Sequence, residues 1–343
     1  MLTFSQLLIE FTPSGIFCPK AGIYIDPTRA VDKAVITHSH SDHARRGSRA
    51  YLTSCGNAGI LKHRIGASAT IEGVEFGEKV MINGVCISLH PAGHVPGSAQ
   101  VRLEYGGEVC VVTGDYKTES DGLTEEFEQL RCNAIVTEST FALPLFKWNK
   151  QEFVRDSIVE WWKRNSANGV TSLLCAYSLG KAQRLIRLLH GHIPCVFVHP
   201  EIEKTNDAVR RSGYDVPEAN VMKFGNVTKE LQGAFAIVPP SFSGSADAEK
   251  LAPFTAGYAS GWMAVRGSRR SRSAGAGFPL SDHADWNGLN DVVRRSDAER
   301  VFVVHGFADA FSRWLNENGI NATPVHSGSH RREAETTSAL SGE

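Results

Sequence analysis

Four side chains that can bind a metal ion lie within one run of six residues, HSHSDH at positions 38–43. The apolar residues directly before this run predict a buried strand that ends at His38. A chain that leaves a strand there can point His38 and His40 to one side and Asp42 and His43 to another. Neutral imidazole nitrogens and carboxylate oxygens suit Zn²⁺, and Mn²⁺ is the alternative where oxygen ligands predominate. The spacing therefore predicts two neighbouring divalent metal ions.

Two more candidate ligands also follow predicted strands. His94 comes after the apolar run 85–89, and Asp115 comes after the run 108–113. Either residue alone would be interpreted as an ordinary turn residue. Ligands gather at the carboxyl ends of strands, however, and an aspartate can give one oxygen to each of two metal ions. Both residues are therefore expected at the same site as the HSHSDH run.

The elements that must position these residues change character along the chain. Before Pro144, short apolar runs predict strands at 33–37, 85–89, 99–105, 108–113 and 133–137, with a tight hairpin at Gly106-Gly107. After Pro144, a helix at 148–164, a strand at 172–176, a helix at 179–190 and a strand at 195–198 predict a parallel sheet. The segment from about 278 predicts strands at 278–280 and 300–304 and helices at 286–293 and 308–318.

These patterns predict one domain interrupted by another. The predicted bounds are 1–143 and 277–326 for the interrupted domain, 144–276 for a smaller inserted α/β domain, and 327–343 for a polar, disordered tail.

Composition excludes several classes of function. The 343 residues carry 36 Lys and Arg against 37 Asp and Glu, so any anionic partner must be bound by local basic patches. The longest apolar runs are strand-sized, which leaves no candidate for a membrane span of about 20 residues. The seven cysteines are scattered without a CxxC pair, which favours a reducing, cytoplasmic location.

As a set, these motifs resemble the metallo-β-lactamase superfamily, whose fold is an αββα sandwich with metal ions at one sheet edge. That family also has a late His and an early Asp, which match His305 in the run VVHG and Asp26 after the run IYI. The resemblance implies that Asp26 orients the ligands without binding metal. It further implies one metal ion on His38, His40 and His94, a second on Asp42, His43 and His305, and Asp115 between them.

Three further motifs resemble the β-CASP nuclease branch of this superfamily. They are TESTF at 137–141, LSDHAD at 280–285 and VHG at 304–306. The 190 residues from Asp115 to His305 (305 − 115 = 190) are too many for a loop and match the inserted domain of that branch. The implied fold class is an α/β metallo-β-lactamase sandwich with an inserted, smaller β-CASP-type α/β domain.

The closest resemblance is to the bacterial ligase-associated DNA exonuclease family, carried by AYSLGKAQR at 176–184, ASGWM at 259–263 and SDHADW at 281–286. It implies a two-metal phosphodiesterase, DNA exonuclease activity in repair, and a functional association with an ATP-dependent DNA ligase. The implied catalytic residues are Asp42, Glu138 and His283. A carboxylate partner keeps an imidazole protonated, so Glu138 would hold His283 ready to protonate the leaving oxygen.

Candidate nucleic-acid contacts are weaker signals. Ser178 and Lys181 open a predicted helix after a strand, where a phosphate can bind, although a serine cap and a solvated lysine are the simpler interpretation. Four arginines precede the SDHADW motif and either contact a phosphate backbone or form a solvated face: Arg266, Arg269, Arg270 and Arg272.

RNA remains the alternative substrate, because relatives of this architecture process messenger RNA ends. A small-molecule ester or thioester hydrolase is the third alternative, and the inserted domain and the arginines argue against it.

Overall fold

The structure is a computed structural model that describes residues 7–223, 231–265 and 275–326. It divides into two compact units. Unit 1 comprises residues 1–147 and 283–336, and unit 2 comprises residues 148–282 and 337–343. The sequence patterns placed the first two boundaries at 143 and 276. The tail predicted to be disordered, 327–343, lies outside the described residues.

The described residues of unit 1 form two sheets and three helices. The six-stranded sheet has the order β1-β2-β3-β4-β5-β6, and the seven-stranded sheet has the order β19-β18-β11-β10-β9-β8-β7. The first sheet comprises β1 Glu10–Thr12, β2 Gly15–Cys18, β3 Ile23–Ile25, β4 Lys33–Val35, β5 Ala50–Ser54 and β6 Ile71–Val74. The second comprises β7 Val80–Ile82, β8 Val85–Pro91, β9 Ala99–Tyr105, β10 Glu108–Val112, β11 Ala134–Glu138, β18 Arg300–Val304 and β19 Ala322–Pro324. The helices are α1 Cys55–Ile65, α6 Trp286–Arg295 and α7 Ala308–Glu317.

Alternating apolar residues in the central strands explain why unit 1 has four layers. In β10, Cys110 and Val112 enter the core between the two sheets, whereas Val111 points to the opposite face and packs with α6 and α7 residues such as Leu289 and Phe311. On the other side, Leu61 and Ile65 of α1 pack against the outer face of the first sheet. Unit 1 is therefore an αββα sandwich, as the resemblance implied.

Unit 2 contains one parallel sheet with the strand order β14-β13-β15-β12-β16-β17. Its strands are β12 Thr171–Cys175, β13 Val196–Val198, β14 Asn220–Val221, β15 Phe235–Val238, β16 Phe254–Ala259 and β17 Ala276–Phe278. Its helices are α2 Gln151–Ala167, α3 Lys181–Leu189, α4 Pro200–Arg211 and α5 Ala246–Glu249. Trp161 of α2 packs on Phe235 and Phe278, with ring centroids 6.5 and 5.5 Å apart. The smaller α/β domain expected from the sequence is present.

The local patterns predicted some elements better than others. The hairpin of β9 and β10 is confirmed, with positive φ at Gly106 and Gly107. The strand expected at 278–280 is wrong in bounds and in partner, because Ala276–Phe278 pairs with β16 in the sheet of unit 2. Three consecutive apolar residues carry no information about which sheet will accept them. Within the described residues, no helix is long and apolar enough to cross a membrane.

Candidate metal centre

The predicted ligands of unit 1 follow strands that end at one edge of the sandwich. β10, β11 and β18 run parallel, so Asp115, Glu138 and His305 follow or end neighbouring strands at the same side. β8 runs in the same direction, because two antiparallel pairings connect it to β10, and it leads to His94. The HSHSDH run follows β4 of the other sheet. Residues far apart in sequence are therefore brought together by strand direction.

The first cluster consists of His38, His40, His94 and Asp115. Nδ1 of His40 lies 3.1 Å from Nε2 of His38 and 3.2 Å from Nε2 of His94. Oδ2 of Asp115 lies 3.7 Å from Nε2 of both His38 and His94. Four ligands placed tetrahedrally around Zn²⁺, each about 2.0–2.1 Å away, would be about 3.3–3.4 Å from one another. The donor set and its spacing therefore fit a metal ion of this kind.

The second cluster consists of His43, Asp115 and His305. Oδ2 of Asp115 lies 3.5 Å from Nε2 of His43, and the rings of His43 and His305 have centroids 5.4 Å apart. Asp115 belongs to both clusters, which is the arrangement needed for a carboxylate shared by two metal ions. Its side chain is 9% exposed, so the shared group is shielded from water.

Asp26 fixes the orientation of His43. Its Oδ2 accepts hydrogen bonds from Nδ1 of His43 at 2.7 Å and from Oγ1 of Thr37 at 2.6 Å, while Oδ1 accepts from the Thr37 amide at 2.8 Å. Because Nδ1 donates to Asp26, Nε2 is the nitrogen that faces Asp115. The structure therefore brings Asp26 to the position that the sequence predicted, although its effect on metal binding stays a prediction.

Asp42 is the predicted ligand that the structure places differently. Its carboxylate lies 3.6 Å from Nε2 of His43, but its side chain is 53% exposed and it is in neither cluster. The chain turns at this point through hydrogen bonds from the amides of His43 and Ala44 to the carbonyl of His40. The turn directs Asp42 outward. Its roles as a ligand and as a catalytic group therefore stay predictions.

The electrostatics of the clusters separate the imidazoles into two kinds. Burial, reinforced by the neighbouring imidazoles, holds the pKa of His38 well below its usual range and keeps the ring neutral. Burial opposes charge on His43 as well, but Asp115 and Asp26 raise the pKa of His43 well above its usual range. Burial also disfavours ionised Asp115, yet His43 holds the pKa of Asp115 well below its usual range. His43 and Asp115 therefore form a buried ion pair.

Glu138 and His283 form a pair beside the two clusters. Nδ1 of His283 donates to the Glu138 carboxylate, 2.9 Å from Oε1 and 3.0 Å from Oε2. Glu138 is fully buried and also accepts from the Tyr116 amide at 2.8 Å. The His283 ring is 20% exposed, and its centroid is 4.5 Å from that of His94. Glu138, His283 and Asp115 also have potential ligand atoms within 4.8 Å of one another, but the hydrogen bonds of Glu138 fit an acid–base pair better.

His305 occupies a strained backbone conformation. Its φ is +59°, in the left-handed region that residues with a Cβ seldom adopt. The Ser139 hydroxyl donates to the His305 carbonyl, and the Phe307 amide donates to the Ser139 carbonyl at 3.0 Å. A Cβ at Gly306 would lie 2.4 Å from the same Ser139 carbonyl, so this position requires glycine. The end of β11 thus holds His305 in place.

The structure describes two of the six predicted nucleic-acid contacts, Ser178 and Lys181, and their role stays a prediction. Lys181 is 4% exposed, and its Nζ lies 2.8 Å from Asp282 and donates to the Leu280 carbonyl at 2.8 Å. Ser178 does not cap the helix, because α3 begins at Lys181 and Gly180 precedes it. Ser178 instead lines a cavity of about 490 Å³. The remaining predicted contacts lie outside the described residues: Arg266, Arg269, Arg270 and Arg272.

Sequence patterns missed three side chains that position functional or motif residues. Thr37 binds Asp26, Asn57 accepts a hydrogen bond from Ser39 at 2.6 Å, and Arg184 donates to Asp282 at 3.0 Å. Thr37 could have been found as the polar residue that ends an apolar strand. Asn57 lies within a helix and had no local signal, whereas Arg184 ends the run AYSLGKAQR, which indicated the family but not the partner of Arg184.

Comparison with known proteins agrees with this geometry. No protein-family model matches the chain. It is 29% identical to a "Probable DNA ligase" of Opitutus terrae over 91% of this chain and 30% of that protein. It is 26% identical to "Cleavage and polyadenylation specificity factor subunit 3-I" of Arabidopsis thaliana over 48% of this chain and 28% of that protein. It is 31% identical to "Endoribonuclease YSH1" of Saccharomyces cerevisiae over 35% of this chain and 15% of that protein.

A solved structure of a protein of unknown function from Enterococcus faecalis V583 has a similar fold. Its TM-score is 0.57 at 11% identity, and the match covers 86% of this chain and 79% of that one. In fold and in site, the chain thus resembles the metallo-β-lactamase superfamily. The relatives confirm the resemblance to the β-CASP branch and to its ligase-associated members. The chain spans less than a third of the length of each of these relatives.

Proposed function

We propose that this chain is a metal-dependent nuclease that hydrolyses phosphodiester bonds, with DNA as the favoured substrate and exonucleolytic repair as its context. The observation that carries the proposal is the buried Glu138–His283 pair beside two imidazole and carboxylate clusters. Hydrolysis of a phosphodiester needs groups that stabilise the negative charge on the phosphoryl oxygens and a group that gives a proton to the leaving oxygen. The clusters and the pair meet these two needs separately.

The two clusters would hold two divalent ions, with Zn²⁺ favoured and Mn²⁺ as the alternative. The proposed ligands are His38, His40, His94 and Asp115 for one ion and Asp42, His43, Asp115 and His305 for the other. When bound, the ions supply a nucleophile at neutral pH and neutralise the non-bridging oxygens. Imidazole-rich, buried donors support Zn²⁺ over Mg²⁺, which prefers oxygen ligands.

The chain's own residues handle the leaving group. Glu138 accepts the Nδ1 proton of His283, so Nε2 is the nitrogen available to protonate the departing oxygen. Because Glu138 is fully buried, water does not compete for the hydrogen bond that orients His283. Asp26 orients His43 through Nδ1 and so directs Nε2 to the second cluster.

DNA is favoured over RNA for one reason. The similarity to a protein named as a probable DNA ligase extends over 91% of this chain, whereas the RNA-processing relatives match 35–48% of it. The same similarity supports a functional association with an ATP-dependent DNA ligase. RNA processing is the second candidate, because these shorter matches are to proteins named for endoribonuclease and polyadenylation activity. A reducing, cytoplasmic location is proposed from the seven free cysteines.

The test is a cleavage time course on DNA and RNA of one sequence, single- and double-stranded, each labelled at the 5′ or the 3′ end. Zn²⁺ and Mn²⁺ are supplied in parallel after chelation. We expect DNA to be shortened progressively from one end, and His283→Ala to abolish shortening without loss of metal. His90→Ala is the matched control, since His90 also pairs with a glutamate, Glu128, at 3.0 Å but lies outside the metal clusters.

Three results would contradict the proposal in different ways. Faster cleavage of RNA under every condition would make the RNA-processing alternative correct. Hydrolysis of esters or thioesters without nucleic-acid cleavage would exclude a nuclease. Wild-type turnover by His283→Ala with both metal ions retained would exclude the assigned role of His283.

A further inference from the structure

Asn57 connects the two loops that carry the histidines of the first cluster. It lies in the first turn of α1 and is fully buried. Its Oδ1 accepts from the Ser39 hydroxyl at 2.6 Å, and Ser39 stands between His38 and His40 in the chain. Its Nδ2 donates to Oγ1 of Thr53 at 2.8 Å. The side chain therefore connects the loop of His38 and His40, through Ser39, to Thr53 of β5.

The same turn of α1 supports the loop of His94. The Ser54 hydroxyl, which caps α1 by accepting from the Asn57 amide, donates to the Gly97 carbonyl at 2.5 Å. Gly97 packs so closely on α1 that a Cβ there would lie 2.4 Å from the Asn57 amide nitrogen. The hydroxyl of the next residue, Ser98, accepts a hydrogen bond from the His94 amide at 3.0 Å. The backbone that presents His94 is thus seated against Asn57.

The second cluster depends on other supports. His43 is held by Asp26 through a 2.7 Å hydrogen bond, and the backbone of His305 is held by Ser139 at the end of β11. Both supports lie on elements other than α1. The two halves share Asp115 and are also linked through Thr37, which donates to Asp26 and lies 3.1 Å from Nδ1 of His38. The Asn57 side chain, which is bonded to Ser39 and Thr53, lies outside this link.

We infer that Asn57 is a positioning residue for the first cluster, and that its loss weakens one metal ion of the pair selectively. This inference rests on the two-metal centre of the proposed function. Asn57 is not a catalytic residue, because its side chain bonds to Ser39 and Thr53 and acts on the metal ligands only through the loop of His38 and His40. Residues that orient metal ligands typically change metal affinity by about 10–100-fold when removed.

The experiment measures metal binding instead of cleavage and isolates each half of the centre. His305→Ala leaves the first cluster as the complete site, and His94→Ala leaves the second. Each background is stripped of metal and titrated with Zn²⁺ alone in the presence of a competing chromophoric chelator. Asn57→Ala is then added to each background, and unfolding temperature is followed in parallel.

We expect Asn57→Ala to weaken Zn²⁺ binding by about 10–100-fold in the His305→Ala background and by less than about threefold in the His94→Ala background. Ser39→Ala removes only the 2.6 Å hydrogen bond and should give a smaller loss with the same selectivity. Ser39→Ala also tests the inference if the Asn57→Ala variant does not fold. Ser296→Ala is the control, because it removes a hydroxyl that is equally buried but donates to Val293 in α6.

Three outcomes would overturn the inference, and the third would also overturn the proposed two-metal centre. In the first, Asn57→Ala weakens Zn²⁺ binding equally in both backgrounds. In the second, neither Asn57→Ala nor Ser39→Ala weakens Zn²⁺ binding in either background. Each result would show that Asn57 does not act selectively on one half of the centre. If both parent variants bound no Zn²⁺ before Asn57 was changed, the two-metal centre itself would be wrong, and the inference would be overturned with it.

Discussion

Replacing Glu138 by glutamine tests the acid–base pair with little change in shape. Glu138→Gln keeps the volume of the side chain but removes the charge that faces Nδ1 of His283 at 2.9 and 3.0 Å. It also disturbs the acceptor of the Tyr116 amide at 2.8 Å. Because Glu138 is fully buried, water cannot replace the lost charge. The His283 ring should therefore be held less firmly in the orientation that presents Nε2 to the leaving oxygen.

The expected loss follows from what a general acid contributes. Proton transfer by a positioned group is worth about 10²–10⁴-fold in rate, or about 2.7–5.4 kcal/mol at 1.36 kcal/mol for each factor of ten. This contribution should vanish for a leaving group that departs without a proton. We therefore expect kcat on an oligonucleotide to fall about 10²–10⁴-fold, and on a p-nitrophenyl phosphodiester by less than about tenfold.

The assay compares the two substrates for Glu138→Gln and the parent at equal metal content. Glu128→Gln is the control, because Glu128 pairs with His90 at 3.0 Å in a site where its side chain is 48% exposed. We expect its activity on both substrates to stay within about twofold of the parent. An equal loss on both substrates, with metal retained, would refute the role of the pair in leaving-group protonation.

Buried charges and thiols elsewhere give three more expectations. Lys181→Met removes one of the two cations that pair with Asp282, at 2.8 Å, and leaves Arg184 at 3.0 Å, so it should lower the free energy of unfolding by about 1.5–3 kcal/mol in a denaturant titration. The salt dependence of nucleic-acid binding should not change, and a slope reduced by about one would instead make Lys181 a phosphate contact. Burial disfavours the charged form of His43, but the neighbouring carboxylates raise its pKa well above the usual range. Zn²⁺ uptake near pH 7 should therefore release about one proton from His43, and Zn²⁺ binding should tighten as the pH rises. Calorimetry in buffers of different ionisation enthalpy measures that release, and its absence would contradict the ion pair. Exposed Cys195 should react with iodoacetamide in the folded protein, whereas Cys110, which is buried and has its pKa raised by burial, should react only after unfolding, as peptide mass mapping would show.

Local chemistry let the sequence predict much of the fold. The hairpin of β9 and β10 could be predicted because Gly106 and Gly107 permit the positive φ that a primed turn requires. The strand before His38 could be predicted because a buried strand needs a continuous apolar run. The branch of the superfamily came from motifs, which the relatives confirm, and not from periodicity.

Where the sequence failed, the outcome depended on a distant partner. The local sequence predicts that Lys181 is solvated or binds a phosphate, and only the fold brings Asp282 to within 2.8 Å of its Nζ. The sequence of residues 276–278 does not specify which sheet the strand joins, and in the structure it pairs with β16 of unit 2. Asp42 stays a predicted ligand and catalytic group, although the turn after His40 leaves its side chain 53% exposed.

By itself the sequence determined which side chains are able to bind metal and which strands carry them, because residue type and alternation are local properties. Only the tertiary structure decided that Nε2 of His43 faces Asp115, that Glu138 is buried against His283, and that Asn57 supports Ser39. Those arrangements join residues up to 145 positions apart along the chain. Their distances are set by strand direction and close packing between layers, and neither quantity is encoded in any single segment.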